Sequence, residues 1–340
     1  MDPALINILI FSGLGILSWL AFKAFNSKNI LHGKIKKQKT ITEDVLKQLY
    51  HVEQSKRIAS LDNLSGALQL SRKKIYPVIE KMSISGLINL QDTEISLTEE
   101  GRQYALRIVR IHRLWEKYLA ERTGHQPSEW HNLAEKKEHE LTEKQALALE
   151  SSLGNPMFDP HGDPIPNEQG EVNTVEWIPL PSYELEKPGK IAHIEDEPEV
   201  IYKRILDKRI FIGSHIMLLD ANNNEVTFLC EGDKHKFSTI VAANIHIEHL
   251  SEDEIFEENA VRLSALNKGE IAKVIGLSTE CRGANRRRLL DLGILPDTQV
   301  EVDLKSPLQD PVAYRIRNTS IALRRSLAEL ILINKKQENE

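Results

Sequence analysis

The second half of the chain is written twice. One segment starts at Leu180 and runs through KPGKIAHI, YKRILDKRIFIGSHIML and ANIHIEHL. The other starts at Leu263 and runs through NKGEIAKVIGL, RRRLLDLGILPDTQVEV and IALRRSLAELILI. Each reads strand, helix, turn, strand, strand, with a Gly or Pro turn before the central strand pair. Self-similarity of this kind means that one supersecondary unit is used again. Two small β-barrels of SH3 type are therefore predicted, at 167–250 and 263–336, with the acidic stretch at 251–262 as a solvated linker between them.

A chain of 340 residues is too long for one ordinary core, so further domains precede the repeat. The formal net charge of -6 gives no global sign of nucleic-acid binding, but the sign varies along the chain, and local charge is what a binding face uses. Cys230 and Cys281 are the only cysteines, which excludes a disulfide framework or a cysteine-rich zinc site and fits a reducing compartment.

Ala4 to Phe22 (ALINILIFSGLGILSWLAF) carries no charge. About 20 helical residues at about 1.5 Å each span about 30 Å, one hydrocarbon core. Asp2 precedes the run, and Lys23, Lys28, Lys34, Lys36, Lys37 and Lys39 follow it, the reverse of a signal peptide. The positive-inside rule then predicts a transmembrane helix at 1–23, a basic linker at 24–40 and the bulk of a single-pass cytoplasmic-membrane protein in the cytoplasm. The plainer alternative is a buried helix, since Ser12, Gly13, Gly15 and Ser18 interrupt the run.

Thr42 is expected to open a helix with Glu43 and Asp44 in its first turn, where the helix dipole favours acids. Val45, Leu46, Leu49 and Val52 fall on one face of it. Two short helical stretches follow, Leu61–Leu70 and Ser71–Met82, with Ser71 as N-cap of the second. LINL and EISLT then make strands around Gln91-Asp92-Thr93. Three helices and a hairpin predict a winged helix-turn-helix over 41–104, whose second helix in the turn enters the major groove. Its residues Ser71, Arg72, Lys73, Lys74 and Tyr76 are the candidate DNA contacts, with ordinary surface as the alternative. Pro77 inside this helix removes a backbone hydrogen bond at about 3 kcal/mol, so a kink or a later start nearer Tyr76 is expected.

The segment 105–166 reads as helical until the turn-rich NPMFDPHGDPIP. His112 and Glu116 share a helix face. His131, Glu135, Glu138 and His139 stand at i, i+4, i+7 and i+8 along a second helix, within about 100° of one another. Facing helices of this kind gather imidazoles and carboxylates, a donor set that divalent first-row metals accept. The same spacing also suits exposed ion pairs of little energetic weight. His161 reads as turn structure.

The stretch from about Asp44 to Pro166, with LTEEGRQYALRIVRIHRLWEKYL, WHNLAEKKEHELT and LGNPMFDPHGDPIP, resembles the diphtheria-toxin-repressor family of metal-dependent regulators. Leu180–Leu250 is similar to the SH3-like third domain of its iron-responsive members, and Leu263–Ile333 resembles the FeoA domain of ferrous-iron transport. The resemblance implies an α+β multidomain chain with a helical metal-binding and dimerisation domain at 105–166. It implies two metal sites per subunit for Mn²⁺ or Fe²⁺, the primary one at Asp44, Glu135, Glu138 and His139, the second at His112, Glu116 and His131.

This chain departs from the family in places. Iron-sensing members use Met and Cys where Asp44 and Glu135 stand, whereas the manganese-transport-regulator branch uses Asp and Glu. Oxygen donors with one imidazole make a harder site, suited to Mn²⁺. A further carboxylate of that branch is Lys47 here, which puts a two-metal manganese cluster in doubt. The third domain's ligands to the second site are displaced. Glu195, Asp196, Glu197 and Glu199 stand nearby, as substitutes or as a solvated acidic turn.

The function expected is a transcription regulator, a repressor of metal-uptake genes. Metal bound between the winged-helix and dimerisation domains would fix a homodimer on a palindromic double-stranded DNA operator. The rival expectation is a membrane-bound accessory of a ferrous-iron or manganese transporter. No phosphate loop or nucleophile–base pair points to an enzyme.

Overall fold

The computed structural model describes residues 36–335 apart from 174, 252, 253, 255 and 258. The described residues divide into two compact units, those up to Arg110 with Pro166–Glu171, and Ile111–Ile165 with those from Val172 onward.

The first unit carries the winged-helix elements. Helix α1 covers residues 36–54. Thr42 does not open it, because its Oγ1 donates to Gln38 O at 3.0 Å, a bond made inside a running helix. The predicted face holds, with Val45, Leu46, Leu49 and Val52 all buried. Strand β1 (Ala59–Ser60) leads into α2 (Leu61–Ala67), capped by Ser60. Helix α3 (Arg72–Ile84) follows, then β2 (Ile88–Gln91) and β3 (Glu94–Leu97), in a sheet of order β1-β3-β2.

Helix α3 runs unbroken through Pro77. Ile75, Val78, Ile79 and Met82 are buried at i, i+3, i+4 and i+7, while Lys73, Tyr76 and Pro77 face solvent. The carbonyl that Pro77 cannot serve belongs to the exposed Lys73, where water can take the lost bond, so the stripe of buried apolar side chains outweighs the proline.

Helix α4 (Glu99–Arg122) begins against the hairpin. Thr98 Oγ1 donates to Gly86 O at 2.7 Å and accepts from Gly101 N at 3.0 Å. A Cβ on Gly101 would lie 1.9 Å from Leu87 O, so the helix packs backbone against backbone there.

The second unit holds the rest of α4, then α5 (Pro127–Lys137) and α6 (Glu143–Ser152). The repeat follows. The first copy has β4 (Ile178–Pro179), β5 (Pro188–Ile194), α7 (Glu199–Leu206), β6 (His215–Ala221), β7 (Glu225–Cys230), β8 (Asp233–Ser238), α8 (Thr239–Ala242) and β9 (Ile245–His249). The second has β10 (Ala260–Arg262), β11 (Ile271–Leu277), α9 (Gly283–Asp291), β12 (Gln299–Lys305), β13 (Val312–Ile316), β14 (Thr319–Leu323), α10 (Arg325–Ala328) and β15 (Ile331–Lys335). Their sheet orders, β4-β9-β5-β6-β7-β8 and β10-β15-β11-β12-β13-β14, are the same order written twice. Each encloses its own core, around Ile191, Phe228 and Ile247 in the first and Val274, Tyr314 and Ile331 in the second. The buried Glu231 joins the copies, accepting from Ser214, Ser278 and Thr279 with Arg262 nearby. Those bonds offset the cost of burying its charge.

The expectation of a transmembrane helix and a single-pass membrane location is corrected. Among the described residues no helix is long and apolar enough to cross a membrane. The Ala4–Phe22 run on which that expectation rested, and most of the basic linker, lie outside the described residues.

Gly101→Ala is expected to destabilise the protein by about 1–3 kcal/mol, because overpacking against a backbone oxygen exceeds the about 1 kcal/mol that alanine gains in helix propensity. Urea unfolding checks this, and equal or greater stability in the variant would show that the approach is loose.

Candidate metal centre

Two helices of the second unit set the frame. His112 and Glu116 are one turn apart on α4 and both are buried. Helix α5 is started by Pro127 in its first turn and by a capping box in which Gln126 N donates to Glu129 Oε2 at 2.8 Å. The buried Trp130 donates from Nε1 to His125 O at 3.1 Å and anchors the helix, with the partly buried His131 next to it. The α-helix ends at Lys137. Glu138 caps it, its N donating to Ala134 O at 2.8 Å, so His139 stands in the turn beyond rather than on the helix.

These residues converge on Glu116. Its Oε1 lies 3.1 Å from His112 Nε2, 3.5 Å from His131 Nδ1 and 3.7 Å from His161 Nε2. His112 Nδ1 meets Glu138 Oε2 at 2.5 Å, so a carboxylate stands at each nitrogen of its ring. His139 Nε2 is 3.6 Å from Glu138 Oε1. His131 also faces Asp196 Oδ2 at 2.9 Å, Glu197 Oε1 at 3.5 Å and Glu135 Oε1 at 3.6 Å.

His161 comes from the DPHGDP turn. Asp159 Oδ1 accepts from His161 N at 2.8 Å and Asp163 N at 2.9 Å, which folds the turn on itself. The turn then docks on β5. His161 O accepts from Ile194 N at 3.0 Å, and Gly162, at φ +94°, lies so close that a Cβ would sit 2.1 Å from Ala192 O. Only glycine tolerates both the dihedral and the approach. The His161 ring is 1% exposed, between Trp130 and Tyr202, and neither of its nitrogens has a hydrogen-bond partner.

The electrostatics follow from this crowding. Burial alone would raise Glu116, but the His112 and His161 imidazoles outweigh it and hold the carboxyl well below the usual range. Burial would lower His131, yet the Asp196, Glu116 and Glu135 carboxylates beside it push it up to about 12. Burial, with the Asp163 and Glu116 carboxylates, holds Asp159 well above the usual range. A cluster so rich in carboxylate needs a cation at its centre, and without a metal a proton on His131 fills that role.

The donors fit a divalent metal. Ligand atoms of His112, Glu116 and His131 lie within 4.8 Å of one another, and so do those of Glu116, His161 and Asp196. Imidazole and carboxylate without thiolate suit first-row divalent ions. The orphaned Nε2 of His161, which faces Glu116, is a buried polar cost that a metal would relieve.

The structure therefore brings together His112, Glu116 and His131, with Glu138 and His139 beside them and the more exposed Glu135 at the edge. Asp44 stands partly buried on α1 of the first unit. Sequence reasoning missed His161, set aside as turn structure, and undervalued Asp196. Of the acidic run, Glu199 pairs with Lys203 at 2.6 Å at the start of α7. The signal for His161 was a histidine held between aspartates in a glycine turn.

Residues 98–167 match the family described as iron dependent repressor, metal binding and dimerisation domain, and residues 261–335 match the FeoA domain. The chain is homologous to the diphtheria-toxin-repressor family. The iron-dependent repressor of Mycobacterium tuberculosis is 31% identical over 126 residues, 37% of this chain and 55% of that protein. A Chlamydia trachomatis protein named "Probable metal transport system membrane protein" is 36% identical over 95 residues, 27% of this chain and 21% of its own length. The chain thus spans just over half of the first of these relatives and about a fifth of the second. A solved manganese-dependent transcriptional repressor in complex with manganese, 26% identical, superposes with a TM-score of 0.56 over 62% of this chain and 100% of its own.

Metal entry must displace the proton that His131 carries up to about 12, so affinity is expected to rise with pH, about tenfold per unit for one proton. Mn²⁺ calorimetry between about pH 6 and 8 in buffers of different ionisation enthalpy checks this. A flat profile with no proton release would remove His131 from the ligand set.

Proposed function

We propose that the chain is a metal-dependent DNA-binding transcription regulator, a repressor of metal-uptake genes activated by Mn²⁺ or Fe²⁺. The observation that carries this reading is the buried Glu116 carboxylate ringed by His112, His131 and His161, with Asp196 closing the ring. His112, Glu116 and His131, joined by His161 and Asp196, make up the second metal site. The resemblance assigns the primary site to Asp44, Glu135, Glu138 and His139, mostly oxygen donors that favour Mn²⁺.

The reader is α3. Its exposed N-terminal turn carries Ser71, Arg72, Lys73 and Lys74, with Tyr76 at 58% exposure just beyond. Arg72 is tied to Asp62 of α2, which leaves Lys73 and Lys74 as phosphate contacts. A homodimer on a palindromic operator follows from the likeness to the metal-binding and dimerisation domain, with two recognition helices about one helical turn apart. A divalent ion supplies the positive charge that the carboxylates demand. The chain's residues do the rest, by fixing the imidazole rings in the second unit and presenting the basic turn in the first. The membrane-bound accessory reading has no support among the described residues, none of whose helices is long and apolar enough to cross a membrane.

DNA binding by the full chain, at fixed salt, tests this with Mn²⁺, Fe²⁺ or chelator and DNA from upstream of metal-uptake genes. Selective affinity is expected with metal and not with chelator, and equal binding in both would end the regulator reading. Asp44→Ala should weaken metal-dependent binding by no less than the about 10- to 100-fold that loss of an outer-shell partner costs, with unfolding unchanged. Lys74→Ala should weaken binding to all sequences alike and reduce the salt slope by about 1. An unchanged slope would take Lys74 off the phosphate backbone.

A further inference from the structure

The first barrel carries a second cluster of metal-ligating side chains that shares no residue with the ring around Glu116. Strands β5 and β9 run antiparallel, with Ile191 opposite Ile247 and Ile194 opposite Ile245, all four buried in the barrel core. Two residues rather than one separate the inward isoleucines of β5, because the ladder bulges between Ile191 and His193. A bulge re-aims a side chain, and here it sets His193 directly across from His246. The two rings lie 4.9 Å apart, with Nδ1 facing Nδ1 at 3.1 Å. Glu195 continues the ladder, its N donating to Asn244 O at 3.0 Å, and stands two residues from His193, on the same side of the strand. The ligand atoms of His193, Glu195 and His246 lie within 4.8 Å of one another.

From this arrangement we propose that His193, Glu195 and His246 form a separate divalent-cation site for an imidazole-preferring ion such as Zn²⁺. A nitrogen separation of 3.1 Å is the edge of a coordination polyhedron with bonds of about 2.1 Å. The His193 ring is already held in place. It stacks on Trp177, centroids 5.3 Å apart at 11°, and its Nε2 faces Asp163 Oδ2 at 3.6 Å. Arg113 fixes Asp163 in turn, donating to its Oδ1 at 3.0 Å. A carboxylate behind the far nitrogen of a ligand imidazole is the usual outer shell of such sites. Glu195 is exposed, which leaves a route for the ion and a place for water. Two imidazoles and one carboxylate make a softer set than the oxygen-rich primary site and select a later metal.

The test counts Zn²⁺ bound by the metal-stripped full chain, by dialysis and elemental analysis, in the unmodified protein, His246→Gln, Glu195→Gln and Glu116→Gln. His246→Gln is expected to bind one Zn²⁺ fewer per chain, also when combined with Glu116→Gln, and Glu195→Gln to weaken that same ion. Ni²⁺ should quench tryptophan emission through Trp177, and His246→Gln should reduce the quench. This readout involves no DNA, so it stands apart from the outcome of the regulator test. Unchanged stoichiometry and quenching in both barrel variants would show an imidazole pair sharing a proton, and the proposal would be overturned.

Discussion

A single buried carboxylate organises the second unit. Glu116 is 2% exposed and keeps its charge only because imidazoles from α4, α5 and the DPHGDP turn close around it. An ionised carboxylate in such a place is costly unless paired. The positions of two helices, one turn and the edge of a barrel are therefore tied to its charge. Two of these imidazoles bring a further carboxylate, Glu138 at the other nitrogen of His112 and Asp196 beside Nδ1 of His131. The ring is thus acidic overall and built to take a cation.

Local periodicity was legible in the sequence, and long-range convergence was not. The apolar stripe from Val45 to Val52 and the hairpin after Gly86 depend on neighbours a few residues apart, and the barrel showed through being written twice. His112, Glu116 and His131 could be read for the same reason, since helical spacing fixes their faces. His161 and Asp196 belong to irregular backbone, where no period says which way a side chain points. Their place depends on a turn docking on β5, through a contact between residues more than thirty apart in sequence. Pro77 misled in the opposite direction. A propensity argument prices the lost bond at its interior cost, whereas the carbonyl concerned faces water.

The duplicated barrel shows how one topology is put to different uses. Both copies keep the same strand order and a core of their own, so their differences lie in what each rim carries. The first rim supplies Asp196 to the ring around Glu116 and carries the His193–His246 pair. The second meets the first through Arg209, which reaches Glu280 and Glu329 at 2.6 and 3.0 Å, and sends Arg282 over the Trp130 ring.

The docking of the turn on β5 bears on how this architecture can be taken apart. His161 O takes its hydrogen bond from Ile194, and Gly162 lies against Ala192. The floor beneath that imidazole is thus barrel backbone, set by strand geometry rather than by any side chain. Exchanging β5 residues leaves the floor intact, but removing the strand removes it. The helices are therefore not a transplantable cassette, and a grafted or shortened version lacking the barrel would carry the donors without the surface that aims one of them.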